Sequence, residues 1–516
     1  MKLTISIMIV LLILEGEART QSQSLTEKAP KHLIEQAKKI NSLKQTGTMQ
    51  MAGMSGSCEI YFKAPNKVYV AIDLGIIESS EGYDGVTAWM KDQNGRVEEI
   101  TGNEKKRIIS NTYLTGQSYF LTDRMPGWSR LLKDTLMGEL KYGIFIALPE
   151  GGDTIRLFQN MQTRRIEIVL EYIDEIPIYT YLSDFRVVDG VQIPFAGRSE
   201  SSLPQLNSVM QFSEINVNIP LDDTIFQMPT TQPVDYFFPK SSDSVIIPMK
   251  YLRGHIFLEA EVKGKKNVFF ILDSGAGLNV IERGFAGELG LTISGNISAK
   301  GVAGYESTAV AVLDTLTLSG VRLFDQRVAV IGLNDLSLET PGRLGGLLGY
   351  DLLSRFPVRI DYSRGELIFY NPERFVPPDS QYAVDLEFIM KAPVVTAEID
   401  GHSGKFVVDL GNALELILHK SWVDKYNLEA GFSDIKEMAG GIGGIGGSAR
   451  ARAAVGNLFR LGTVEVKRPR LLIAAGNLGV FRSTELDGNI GNQMLQKFSI
   501  LMDYSRKKLY ILPGKE

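Results

Sequence analysis

The chain has 516 residues, too many for one hydrophobic core, and its apolar fraction of 44% and charged fraction of 22% are those of ordinary globular proteins. With 55 Lys and Arg against 60 Asp and Glu, the net charge of -5 gives no field that would draw nucleic acid. Cys58 is the single cysteine, which excludes an intrachain disulfide, and His32, His255, His402 and His419 lack metal-ligand spacing.

The first element in chain order reads as an export signal over residues 1–18. Lys2 supplies a positive start, Leu3 to Leu14 is an apolar run too short for an ordinary membrane span, and Gly16-Glu17-Ala18 offers small residues for cleavage. The alternative is an N-terminal membrane anchor. Export without disulfides fits a periplasmic or secreted bacterial protein.

Residues 27–43 carry a helical apolar set, Leu33, Ile34, Ala37, Ile40 and Leu43. Strand-like runs follow at Ser57 to Phe62, Lys67 to Asp73, Val86 to Lys91, Arg164 to Tyr172 and Pro177 to Leu182, with a hairpin turn at Asp189-Gly190. Further helices are expected between 104 and 138. The runs Tyr61-Phe62-Lys63-Ala64-Pro65, Tyr83-Asp84-Gly85-Val86-Thr87-Ala88-Trp89 and Val187 through Pro194, with the closing segment Asn216 to Asp223, resemble the periplasmic lipoprotein-carrier (LolA-like) family. That resemblance implies a curved antiparallel sheet with helices over residues 19–228 and an apolar cavity for lipid or lipoprotein. The same sheet could serve only as a docking module. Residues 229–245 collect Pro, Ser and Thr without periodicity and read as a linker.

From residue 246 the chain repeats itself. Phe270-Ile271-Leu272-Asp273-Ser274-Gly275-Ala276 returns as Val407-Val408-Asp409-Leu410-Gly411-Asn412-Ala413, 136 positions from Asp273 to Asp409. Leu347-Leu348-Gly349 returns as Asn489-Ile490-Gly491, and Asp361-Tyr362-Ser363-Arg364 as Asp503-Tyr504-Ser505-Arg506, both 142 positions on. Short alternating strands make each repeat all-β, giving lobes at 246–375 and 376–516. A glycine-rich stretch falls midway in each, Gly301 to Tyr305 and Gly440 to Gly447. An aspartate placed straight after a buried strand costs desolvation energy and needs partners or a task. Two such carboxylates in contact cannot both ionise: one keeps a proton while the other acts as a base on water.

The apolar-apolar-Asp-Ser-Gly-Ala motif, the glycine-rich stretch and the apolar-apolar-Gly element resemble a tandem retropepsin-like aspartyl protease over residues 246–514. The resemblance implies Asp273 and Asp409 as the catalytic pair, a shared lytic water, a peptide or protein substrate, and no metal or organic cofactor. It places Ser274, Gly275, Gly301, Gly304, Tyr305, Gly443 and Gly444 around the substrate, with the glycine-rich stretches as flaps. The Ser274 hydroxyl can tie the two aspartate loops together, and Gly275 permits a tight turn near the partner lobe. The second repeat departs from the family pattern: Leu410 replaces a hydroxyl residue, removing one bond between the lobes, Asn412 a small residue and Asn489 an apolar one. The stretch Gly441 to Gly446 also fits G-x-G-x-x-G, but without the flanking strand and helix of a dinucleotide site, so a flap is the better reading. The expected activity is exported endopeptidase. The competing readings are a non-catalytic peptide-binding or lipid-carrying protein, and a homodimer pairing Asp273 with Asp273.

Overall fold

The structure is a computed structural model that describes residues 31–121, 123–173, 176–302, 304–333, 339–475 and 479–512. The expected export signal lies outside the described residues. The described chain is mainly β, with short helices. Its first part is one antiparallel sheet of 13 strands, a meander running outward on both sides of the central strand Ser42–Met51 to the edge strands Val97–Ile100 and Gly127–Met137. The helix Gly102–Thr115 connects the two edges and buries Ile108, Ile109 and Tyr113 against the sheet.

Two expectations for this part differ from the structure. The helix predicted over 27–43 is Lys31–Lys38 among the described residues, and Leu43 belongs to a strand. There, Leu43, Gln45 and Met49 turn inward with period two, while neighbours on both sides satisfy the backbone. Helix in the 104–138 region ends at Thr115, apart from a single 3-10 turn at Ser118–Phe120; Gly127–Met137 pairs instead with Leu140–Pro149 around Gly138, whose positive φ of 62° suits the reversal. Asp189 and Gly190 both have positive φ, as a two-residue hairpin requires.

The stretch read as a linker is docked. Tyr236–Phe237 pairs with Val321–Ile331, and the Asp235 carboxylate meets the buried Arg355 guanidinium. Beyond it, the same arrangement occurs twice. The strand leading to each aspartate lies parallel to a later strand, Lys265–Leu272 beside Arg343–Leu348 and His402–Asp409 beside Gly488–Gly491. Leu272 stands opposite Leu348, and Val408 opposite Ile490. All four are buried in a core that runs through both lobes. Val358–Asp361 of the first lobe pairs antiparallel with Ser499–Asp503 of the second, which fixes the lobes to each other in one sheet.

Each repeated Asp-Tyr-Ser-Arg segment ends one of these joining strands. Asp361 accepts from the Ser363 hydroxyl and the Arg364 N–H, and Asp503 likewise from Ser505 and Arg506. The tyrosines between them reach the other lobe. Tyr362 donates to Asn492 at 2.7 Å, and the Tyr504 ring packs 5.8 Å from that of Tyr350.

Candidate active site

The two aspartate loops face each other across the junction of the lobes. A Cβ built on Gly275 would stand 2.9 Å from the Asp409 carboxyl carbon, and one on Gly411 would stand 2.4 Å from that of Asp273. Both contacts are shorter than a real Cβ tolerates, so glycine is required on both sides by the approach of the opposite carboxyl. Neither glycine has positive φ; Gly275 lies in a turn closed by the Ala276 N–H on the Asp273 carbonyl, with its backbone close to the partner lobe.

Ser274 is fully buried. Its hydroxyl donates to the Val408 carbonyl at 2.6 Å and accepts from the Leu410 N–H at 2.9 Å. It ties the two aspartate loops together, as its hydroxyl led one to expect, and it spends its bonds on the second lobe rather than on substrate, with which the sequence also grouped it. Leu410, also fully buried, has no hydroxyl to return the pair of bonds.

Asp273 accepts from the Gly275 N–H at 2.9 Å and shares a side-chain hydrogen bond with Asp409. Burial first, and then the charge of Asp409, hold its carboxyl well above the usual carboxylate range. Asp409 accepts from the Gly411 N–H at 2.8 Å and the Asn412 N–H at 3.1 Å on one oxygen, and from the Asn489 amide at 2.6 Å on the other. The Asn412 amide donates to the Asn489 oxygen at 2.7 Å. Sequence reasoning noted Asn412 and Asn489 only as departures; the signal it could have used is that both changes are to the same amide side chain, at positions matching Ala276 and Leu347.

Two other residues near the pair were not anticipated. His255 lies beside Gly411 and Asp409, and burial pushes its imidazole below the ordinary value. Tyr504 lies within electrostatic reach of both carboxyls, and burial, with Tyr350 and the two aspartates adding, pushes its phenol well up.

The glycine-rich stretches are hairpins whose tips meet. In the first, Ile293–Gly301 pairs with Gly304–Leu318, so Gly301 and Gly304 flank the tip and Tyr305 faces Lys300 one step down the arm. In the second, Ile442–Gly444 pairs with Gly447–Val455; Gly443 and Gly444 are on the rising arm, and Ile445 and Gly446 form the tip. The Val302 N–H donates to the Ile445 carbonyl at 2.8 Å. Ile445 packs on the first lobe's apolar cluster around Phe257 and Leu347, and Val302 on the second lobe's cluster around Ile417 and Phe481.

Comparison with known proteins places this geometry in context. Residues 258–352 match a family model described as aspartyl protease. No curated protein matches the chain. Among solved structures, a retropepsin-like aspartic protease from Rickettsia conorii is 26% identical with a TM-score of 0.19, over 24% of this chain and 89% of that one. A LolA superfamily protein from Nitrosomonas europaea is 14% identical with a TM-score of 0.30, over 38% of this chain and 96% of that one. Basic 7S globulin from soybean is 11% identical with a TM-score of 0.32, over 52% and 96%. The stretch that carries Asp273, from residue 258 to 352, is therefore the part of this chain that matches the aspartyl protease family.

Proposed function

We propose that the chain is an exported aspartic-type endopeptidase, with Asp273 and Asp409 as its catalytic pair. The observation that carries this reading is the mutual approach of the two loops, each with a glycine where any side chain would strike the opposite carboxyl. A single proton shared between two touching carboxyls leaves one ionised group to take a proton from water and one acid to donate to the scissile carbonyl oxygen. The attacking water sits between them, and the peptide lies in the cleft under the meeting hairpins, which must part to admit it. Peptide-bond cleavage then needs neither metal nor organic cofactor. Substrate contacts fall to Gly275 beside the pair and to the hairpin residues Gly301, Gly304, Tyr305, Gly443 and Gly444. The test is digestion of a diverse peptide library: wild-type protein should cleave, and Asp273→Asn, which keeps the shape but supplies no ionisable carboxyl, should not.

A second reading, lipid or lipoprotein carriage by the first domain, is favoured by one feature. A hollow of about 470 Å³ on the sheet is lined by Leu131, Phe145 and Met161 together with the polar and charged Lys31, His32, Asp134, Gln159 and Arg164. Saturable binding of a fluorescent fatty acid, lost when Phe145 becomes Asp, would support it.

A further inference from the structure

The two carboxyls are alike in sequence position but not in surroundings, and the difference lies in Asn412 and Asn489. An asparagine amide normally leaves open which end is the donor. Here a backbone group settles it. The Leu414 N–H can only donate, and it meets the Asn412 oxygen at 2.9 Å. That turns the Asn412 amine toward the Asn489 oxygen, and the Asn489 amine toward Asp409. Three donors run in one direction and end on the Asp409 oxygen that its own loop leaves free. The matching positions of the first lobe are Ala276 and Leu347, which have no side-chain donor.

We propose that the Asn412–Asn489 relay is a positioning device that fixes the roles of the pair: it keeps Asp409 as the proton acceptor and leaves the shared proton on Asp273. The inference rests on the peptidase reading for its catalytic meaning, but not for the placement of the proton. Three donors on Asp409 favour its charged form, whereas Asp273 accepts from the Gly275 N–H and can carry the proton and direct it at the lone pair that Asp409 has left. In the reaction, Asp409 takes a proton from the attacking water as its oxygen bonds to the scissile carbon. Asp273 gives its proton to the carbonyl oxygen; as the C–N bond of the tetrahedral species breaks, Asp409 passes the proton it took from water to the leaving nitrogen, and one hydroxyl returns its proton to Asp273 as the carbonyl re-forms, so atoms and charge balance and the pair is restored. The relay also stands in for what Leu410 lacks: the second loop is held by amides within its own lobe rather than by a returning hydroxyl.

The test pairs a spectroscopic readout with a kinetic one. Carbon-13 labelling of aspartate carboxyls, with Asp273→Asn and Asp409→Asn for assignment, reports which of the two is a carboxylic acid and which a carboxylate. In wild-type protein the acid signal should belong to Asp273. Asn489→Leu, which copies the first lobe, should distribute the proton over both and move the acid limb of the cleavage pH profile upward by about one pH unit, because the charged form loses one strong donor. Asn412→Ala should do the same to a smaller degree, and guards against a misfolded Leu variant. If the library is never cleaved but the acid signal sits on Asp273 and redistributes in Asn489→Leu, the relay stands and the peptidase reading falls. If wild-type protein cleaves and neither the signal nor the pH profile responds to either variant, the relay is overturned.

Discussion

At the scale of single residues, the site depends on atoms that the family motif only partly spells. Ser274 lies in the motif, and its role across the junction was legible because a hydroxyl beside a buried carboxyl has few other uses. What sequence could not give was the accounting in the second lobe. Leu410 reads there as a lost bond, yet its N–H and the Val408 carbonyl are both satisfied by Ser274. Asn412 and Asn489, 77 positions apart, read as decay until the fold brings them into hydrogen-bond contact. Ser274→Ala should therefore do more than remove a hydroxyl. It leaves two buried backbone groups unpaired, which destabilises by about 2–4 kcal/mol, and denaturant unfolding should show a lower midpoint. Ser274→Thr should retain both bonds and most of the stability.

At the scale of elements, the repeat was legible as strand, aspartate turn, glycine-rich hairpin and strand, because period-two apolar patterns and turn residues survive in one sequence. The parallel pairing of each aspartate strand with a strand 75 to 82 positions later was not, since nothing local encodes a long-range partner. Nor was the contact between hairpin tips. Val302 and Ile445 each pack against the opposite lobe, so the closed state is held by apolar burial and one backbone hydrogen bond. Gly301 is where this closure is tightest: a Cβ there would lie 2.0 Å from the Ile445 carbonyl oxygen. Gly301→Ala should force the tips apart. Hydrogen exchange should then accelerate at 440–447 while the strands beneath keep their protection. Unchanged exchange at that hairpin would mean the tips do not hold each other in solution.

At the scale of the whole molecule, the first domain proves to be fastened to both lobes. Lys391 of the second lobe forms an ion pair with Asp92 of the first domain, the carboxylate buried and the lysine side chain 15% exposed, and its ammonium lies 4.9 Å from the centre of the Tyr350 ring of the first lobe. Tyr350 in turn donates to Glu98 at 2.8 Å. Burial alone would push the Lys391 ammonium down, but Asp92, Asp351 and Glu98 around it hold it above its ordinary value. Charged residues scattered over three segments give no sequence signal of such a junction, and a reading by domains naturally separated them. Lys391→Met should cost about 3–5 kcal/mol, because Asp92 would remain buried without its partner. Calorimetry should show the loss, and the double variant with Asp92→Asn should recover much of it.

The central claim is that the two lobes of one chain build a single site in which both carboxyls act. Its most direct measurement is peptide-library cleavage by Asp409→Asn, at matched concentration and with folding verified by calorimetry. A site shared by the two lobes predicts that cleavage disappears, as in Asp273→Asn. Wild-type rates in Asp409→Asn would contradict it, and would transfer the chemistry to the first lobe paired with a second copy of itself.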